Sequence, residues 1–292
     1  MLGKAEVVLV TEVDIRGLDF RAEEDRQVSE LEVLLVAFPE AGAGEELVQR
    51  PETGQTGARQ RRNDVDYTYD DIAGMIDHSL LVPTLTTEQL EAGCRLAREY
   101  DVASVCILPY ALKRATDLLA GSAVQPSTTI GFPHGGQATS TKAAEAERAL
   151  ADGGTELDMV VNISKVLSGD WGYVRSDVEA VLEPTHARGM KLKVIFENCY
   201  LEDVQKIRLC EICGELGVDW VKTSTGFGTG GATDEDLALM RKHSPPQVQV
   251  KAAGGVRDLD RLLRVRELGC TRSGATRTKD ILDELKRRLA SG

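Results

Sequence analysis

No run of about 18 uninterrupted apolar residues occurs in the 292-residue chain, so a membrane-spanning helix is not expected. The opening segment, MLGKAEVVLVTEVDIRG, meets acid within a few residues and has no small-residue cleavage site, so it does not read as a secretion signal. Basic charge is in deficit. Lys and Arg number 35 against 47 Asp and Glu, a net −12. Such a surface repels nucleic acid and anionic membranes at long range, so neither is expected as a partner. Histidine is scarce. His78, His134, His186 and His243 are spread out and suggest no catalytic set. His78, beside Asp77 at a strand end, is placed to hydrogen-bond there, whereas His186 and His243 fall on helical patterns.

Six cysteines are scattered through the chain, and neither a second cysteine pair nor a histidine cluster stands near Cys210-x-x-Cys213 to complete a zinc site. That pair lies inside a helical pattern, VQKIRLCEICGELG, and reads as helix packing. Free thiols without a secretion signal point to a reducing compartment, and the expected location is cytoplasmic. No G-x-G-x-x-G follows the first strand, which removes the usual dinucleotide fingerprint.

The chain changes character near residue 66. Residues 1–65 form an N-terminal extension, with two strand-like runs at Val7–Val10 and Val33–Phe38. The acidic stretch Arg21–Arg26 lies between them. The aperiodic stretch EAGAGEELVQRPETGQTGARQRRN then reads as linker or disorder. Residues 1–70 carry 16 acidic and 8 basic side chains, a net −8, whereas the other 222 carry 31 and 27, a net −4. A local basic pocket there can outvote so weak a charge, so an anionic substrate is not excluded.

From Tyr67 onward strand-like and helix-like segments alternate. Strands are expected at 74–78, 103–108, 127–132, 156–162, 191–197, 219–224, 247–252 and 271–274. Helices are expected at 87–100, 110–120, 138–152, 171–188, 202–216, 234–243, 258–268 and 278–290. Eight βα units are the number that closes a parallel barrel. The expected fold class is therefore α/β, a (β/α)8 TIM barrel over residues 66–292.

In such a barrel the chemistry sits at the C-terminal strand ends, and side chains alternate inward and outward. On that alternation Lys193, Ile195 and Glu197 point inward from the fifth strand, and Gln249 and Lys251 from the seventh. Asp158, Val160 and Asn162 share a face of the fourth, and Trp220 and Lys222 a face of the sixth. One mouth thus collects Asp158, Lys193, Lys222 and Lys251, with Asp77 arriving from the first strand. Buried charge is expensive unless paired and used. A lysine nucleophile must be neutral part of the time, and a second ammonium plus desolvation lowers its pKa. Lys222 and Lys251 on adjacent strands offer that arrangement, which favours a Schiff base with a carbonyl substrate and C–C cleavage beside it. Asp158 is the candidate proton carrier.

Three glycine-rich loops follow the last three strands: Gly226–Gly231, Ala253–Arg257 and Ser273–Arg277. Loops on that rim, feeding helix N-termini, commonly hold phosphate.

The segments Ile76-Asp77-His78-Ser79-Leu80-Leu81-x-Pro83, Val105-Cys106-Ile107-x-Pro109, Gly131-Phe132-Pro133-His134-Gly135, Glu156-Leu157-Asp158-Met159-Val160-x-Asn162, Lys193-Val194-Ile195-x-Glu197, Val221-Lys222-Thr223-Ser224-Thr225-Gly226-Phe227 and Val250-Lys251-Ala252-Ala253-Gly254-Gly255-Val256-Arg257 together resemble the deoxyribose-phosphate aldolase family. The resemblance runs in order from about residue 67 to 290. It implies a class I aldolase that cleaves 2-deoxy-D-ribose 5-phosphate reversibly to acetaldehyde and D-glyceraldehyde 3-phosphate, with no cofactor and no metal. It makes Lys222 the Schiff-base lysine, Lys251 the lysine that lowers its pKa and Asp158 the proton-transfer carboxylate. Asp77 and Lys193 become a supporting network, and Cys106 aligns with a cysteine near the family's site. Thr225, Gly226, Gly254, Gly255, Gly274 and Thr276 become the phosphate site, to which Arg277 could add a charge-assisted contact. The chain departs from the family at Val82, where many relatives carry a basic residue. It also departs in its final loop, Gly274-Ala275-Thr276-Arg277, and in lacking a tail tyrosine. Assembly is left open, with a homodimer as the commonest oligomer.

Overall fold

Alternating apolar and turn-forming segments from residue 66 onward fold into eight βα units in the computed structural model, which describes residues 66–291. In order they are α1 (Tyr69–Ala73), β1 (Ile76–Leu80), α2 (Thr87–Glu99), β2 (Ser104–Ile107), α3 (Leu112–Leu119), β3 (Gln125–Ile130), α4 (Thr139–Ala151), β4 (Glu156–Val160), α5 (Ile163–Leu167), α6 (Trp171–Ala187), β5 (Lys191–Ile195), α7 (Asp203–Leu216), β6 (Trp220–Lys222), α8 (Asp234–His243), β7 (Gln249–Ala253), α9 (Leu259–Glu267), β8 (Arg272–Ala275) and α10 (Thr278–Ser291). The strands pair in parallel in chain order, and β8 returns to β1 through Asp77 opposite Gly274. The expected (β/α)8 barrel is the observed fold. The strand-like runs and linker expected in residues 1–65 lie outside the described residues.

Local chemistry explains most element boundaries. Thr86 and Gln89 form a capping box that starts α2, whose buried positions Leu90, Gly93, Cys94 and Ala97 recur at helical spacing. Helix α8 opens with Asp234, Glu235 and Asp236 and closes with Arg241, Lys242 and His243, matching its dipole at both ends. Cys210 and Cys213 are buried on α7 and free, as the helical reading expects.

Several strand boundaries depart from the sequence reading, and three illustrate the physical reasons. Thr68 and Asp71 cap a one-turn helix, α1, that ends at Gly74, so β1 starts two residues later than expected. Strand β3 ends at Ile130 because Gly131 takes a left-handed backbone. Strand β5 stops at Ile195, and Glu197 adopts φ 50, a conformation uncommon outside glycine.

The outer faces of the strands pack against the helices. Leu157 and Met159 of β4, Leu192 and Val194 of β5, and Val250 of β7 are completely buried in that layer. The inner faces carry the polar side chains.

Candidate active site

Burial of seven ionisable side chains inside the barrel defines the site. Asp158 stands at its centre, wholly buried. Its Oδ2 accepts hydrogen bonds from Lys222 Nζ and Lys251 Nζ, both at 2.7 Å, and its Oδ1 accepts from Lys193 Nζ at 2.9 Å. Asp77 sits beside it on β1. The Asp77 Oδ2 lies 2.5 Å from Lys251 Nζ and 3.5 Å from Lys193 Nζ. Strand register explains the grouping, because Asp158 pairs with Lys193, Lys222 with Lys251, and Ile195 with Lys222. Neighbouring parallel strands present paired residues to the same face.

Two members were not singled out from the sequence. Arg272, at the start of β8, donates to Asp77 Oδ1 at 2.6 Å and to both Glu156 oxygens at 2.8 and 3.0 Å. Glu156 also accepts from Lys193 Nζ at 2.6 Å. The signal was the period of two: Glu156 precedes Asp158 by two residues, and Arg272 precedes Gly274 by two. Both residues open their strands, at the opposite end from the C-terminal rim where barrel chemistry is expected.

The three lysines differ electrostatically although all are buried. Burial lowers the pKa of Lys193, but Asp158, Asp77 and Glu156 outweigh it and raise the ammonium well above its ordinary range. Lys251 is likewise raised, because Asp158 and Asp77 overcome its burial. Lys222 is the exception. Burial pushes it down, Asp158 opposes, and the neighbouring Lys251 ammonium pushes it down again, so the net direction is lower. Burial raises the pKa of Asp158, yet Lys193, Lys222 and Lys251 overcome this and hold it ionised well below the usual carboxylate range. Burial lifts the Cys106 thiol above its ordinary value.

Lys222 ends β6 and lines a cavity of about 260 Å³ at the C-terminal mouth. Asp77, Ser79 and Cys106 line the side nearest β1 and β2, and Thr225, Gly226, Gly254, Gly255, Gly274 and Thr276 line the loop side. Gly254 and Gly255 are consecutive left-handed residues with φ 81 and φ 88. A Cβ on Gly254 would stand 2.8 Å from Gly231 Cα, so both the backbone angle and the contact require glycine. Thr223 ties these loops together: its hydroxyl donates to Ala253 O at 3.1 Å and accepts from Ala253 N–H at 3.0 Å. The buried Glu197 carboxylate accepts from the Thr225 backbone N–H at 3.2 Å and from the Thr225 hydroxyl.

The structure thus gathers Asp77, Asp158, Lys193, Lys222 and Lys251 in one ion network and brings Thr225, Gly226, Gly254, Gly255, Gly274 and Thr276 to one cavity. It does not bring Arg277 there. The Arg277 guanidinium is exposed and donates to Asp280 at 2.8 Å, one turn along α10. The guanidinium-bearing residue on the cavity wall is Arg257, from the loop after β7. Asn162, read as sharing the inner face, instead caps α5 and accepts from Lys165 N–H at 3.2 Å. Among the described residues no group of His, Cys, Asp and Glu gathers to hold a metal ion. His78 faces outward and shares a 2.8 Å hydrogen bond with the Thr278 hydroxyl.

Residues 71–276 match the DeoC/LacD family aldolase profile. The chain is 65% identical over 224 residues to the deoxyribose-phosphate aldolase of Rhodopirellula baltica, covering 77% of this chain and 93% of that one. It is 47% identical over 208 residues to the deoxyribose-phosphate aldolase of Thermococcus gammatolerans, covering 70% and 92%. Among solved structures, the tetrameric deoxyribose phosphate aldolase from Aeropyrum pernix superposes with a TM-score of 0.70 at 28% identity, covering 75% of this chain and 92% of that one.

Proposed function

The chain belongs to the DeoC/LacD family of aldolases, and from that premise we propose that Lys222 forms the Schiff base through which it cleaves 2-deoxy-D-ribose 5-phosphate. The observation that carries this reading is Lys222 itself: a buried cavity-lining amine with a depressed pKa, sharing one carboxylate oxygen with a cation.

The steps follow from that geometry. The neutral Lys222 amine adds to the C1 aldehyde of the open-chain sugar, and loss of water leaves an iminium. Asp158, directly or through a water, takes the proton of the C3 hydroxyl. The C2–C3 bond breaks, its electron pair moves toward the iminium nitrogen, and D-glyceraldehyde 3-phosphate leaves. The remaining enamine takes a proton at carbon, and water releases acetaldehyde and restores the amine. Lys251, held cationic by Asp158 and Asp77, keeps Lys222 from holding its own proton. Lys193 holds Asp158 from below, and Asp77 faces the same ammonium. Electrostatics therefore divides the roles between three lysines of equal burial.

The phosphate is assigned to the loop side of the cavity, against Thr225, Gly226, Gly254, Gly255, Gly274 and Thr276, with Arg257 supplying the positive charge. Cleavage of phosphorylated deoxyribose much faster than of free deoxyribose supports that assignment, and equal rates remove it. The proposal includes a cytoplasmic location, consistent with six free cysteines. It also includes self-association, in its simplest closed form a homodimer.

Borohydride reduction of the enzyme with acetaldehyde or substrate tests the central step. Peptide mass mapping is expected to find the reduced adduct on Lys222. An adduct on another lysine, or none, overturns the assignment.

A further inference from the structure

Glu197 stands two residues past the end of β5, buried at the C-terminal mouth, and takes no part in the steps above. Among the described residues no lysine, arginine or histidine side chain pairs with its carboxylate. Burying a carboxylate without an opposite charge is costly. The backbone adds a second cost, because Glu197 is left-handed, at φ 50 and ψ 62. Two penalties thus fall on one residue beside the site. Strain of that kind persists only where the surrounding structure enforces it, and it gathers at functional sites.

The use of the residue shows in what it holds. The chain after β5 keeps running beside β6: Phe196 N–H donates to Lys222 O at 3.0 Å, and Asn198 N–H donates to Thr223 O at 2.9 Å. The left-handed turn between them aims the Glu197 side chain at the loop after β6. There Thr225 gives it both of its donors, the backbone N–H at 3.2 Å and the hydroxyl. The Thr225 hydroxyl oxygen in turn accepts from Phe227 N–H at 3.0 Å. Gly228 passes so close that a Cβ there would stand 3.0 Å from Glu197 Cδ and 2.8 Å from Cys199 Sγ. Between these fixed points lies Gly226, left-handed at φ 88 and on the cavity wall. With both Thr225 donors committed, the Gly226 backbone is what this stretch has left to offer an anion.

We propose that Glu197 is a positioning residue for phosphate selectivity: acting through Thr225, it sets the loop after β6 so that the Gly226 backbone meets the phosphate of the sugar. Glu197 lies behind the cavity wall and touches no substrate atom. A carboxylate repels phosphate, so its contribution is geometry and not charge. The proposal rests on the assignment of the phosphate to the loop side of the cavity. It adds the side chain outside the cavity on which that assignment depends.

The test compares two substrates in one variant. Glu197→Ala removes both acceptors, and kcat/KM is measured with 2-deoxy-D-ribose 5-phosphate and with free deoxyribose. The value for the phosphorylated sugar is expected to fall at least about tenfold, a modest part of the roughly 10²-fold that a 1 Å misplacement can cost. The value for the free sugar is expected to stay within about twofold, since it has no phosphate to misplace. Glu197→Gln keeps one acceptor oxygen and is expected to fall between Glu197→Ala and the unaltered enzyme. An unchanged preference for the phosphorylated sugar in Glu197→Ala overturns the proposal. So does an equal loss with both sugars, which is what a merely structural role would give. Should Glu197→Ala not fold, the nearly isosteric Glu197→Gln is read by the same ratio, with the same outcomes. Equal rates with the two sugars in the unaltered enzyme would instead count against the phosphate assignment itself, so the two failures are distinguishable.

Discussion

The inner and outer faces of the eight strands bury side chains to the same depth but treat charge oppositely. On β1 the two faces meet in consecutive residues. Asp77 points inward and stays ionised, because Lys193, Lys251 and Arg272 overcome the penalty of its burial. His78 points outward, has the Thr278 hydroxyl for company, and is pushed by burial down to about 4, so it stays neutral. Desolvation acts on both, and only the supply of opposite charge differs. The same rule sorts the lysines within the inner face. The network holds three carboxylates (Asp77, Glu156, Asp158) and four cationic side chains (Lys193, Lys222, Lys251, Arg272). One cation is in surplus. The group that relieves the imbalance by losing its proton is the one sharing its single carboxylate with another lysine at the cavity: Lys222.

Removing the surplus cation should have the largest effect on catalysis. Lys222→Ala is expected to lower kcat/KM by about 10⁵–10⁶-fold, the scale of nucleophile deletions, and to abolish borohydride trapping. Full activity would sink the mechanism. Removing the cation that enforces the imbalance should act through ionisation. In Lys251→Leu, Asp158 is left to Lys222 and Lys193, so the Lys222 pKa moves up toward its ordinary value. Less free amine then remains near neutrality. A loss of about 10³-fold is expected, within the range of proton-transfer contributions, with the rate recovering as pH rises. A pH profile parallel to that of the unaltered enzyme would break the argument. Deeper in the barrel the cost should move from rate to stability. Glu156→Gln leaves Arg272 and Lys193 short of a carboxylate, and a loss of about 3–5 kcal/mol is expected for a broken buried ion pair. Urea unfolding measures it, and an unchanged midpoint would show that the lower layer needs no such balance.

The contrast between faces also sets what the sequence could reveal. Period-two alternation exposed Lys193, Lys222 and Lys251 as inward residues, because valine and leucine flank them on the outer face. The barrel was legible for the same reason. The loop residues of the cavity were legible from glycine-rich spacing, apart from Arg277 and Arg257. Both arginines stand just past a glycine-rich strand end, and only the folded path shows that one turns along α10 toward Asp280 while the other lines the cavity. Helix α1 was missed because five residues carry too little periodicity, although its Thr68 and Asp71 capping pair was in view. Glu156 and Arg272 were overlooked because charge low in a barrel is unusual. Their purpose is visible only as a balance among residues from six strands.

His78 provides the smallest test, on the outer face. Its folded-state pKa of about 4 lies below the ordinary value of 6.5. Above pH 6.5 it is neutral in both folded and unfolded chains and affects neither. As pH falls from 6.5 toward 4, the unfolded chain takes up a proton that the folded one refuses, so stability declines across that window. The full contribution is about 3 kcal/mol or less. His78→Asn keeps a polar partner for the Thr278 hydroxyl and cannot titrate. Its unfolding free energy is therefore expected to fall less steeply than that of the unaltered enzyme between pH 6.5 and 4, and to fall in parallel below pH 4. Equal slopes in the upper window would mean that His78 is charged where it sits. That would require an opposite charge on the outer face, where none is found within hydrogen-bonding reach of its ring among the described residues.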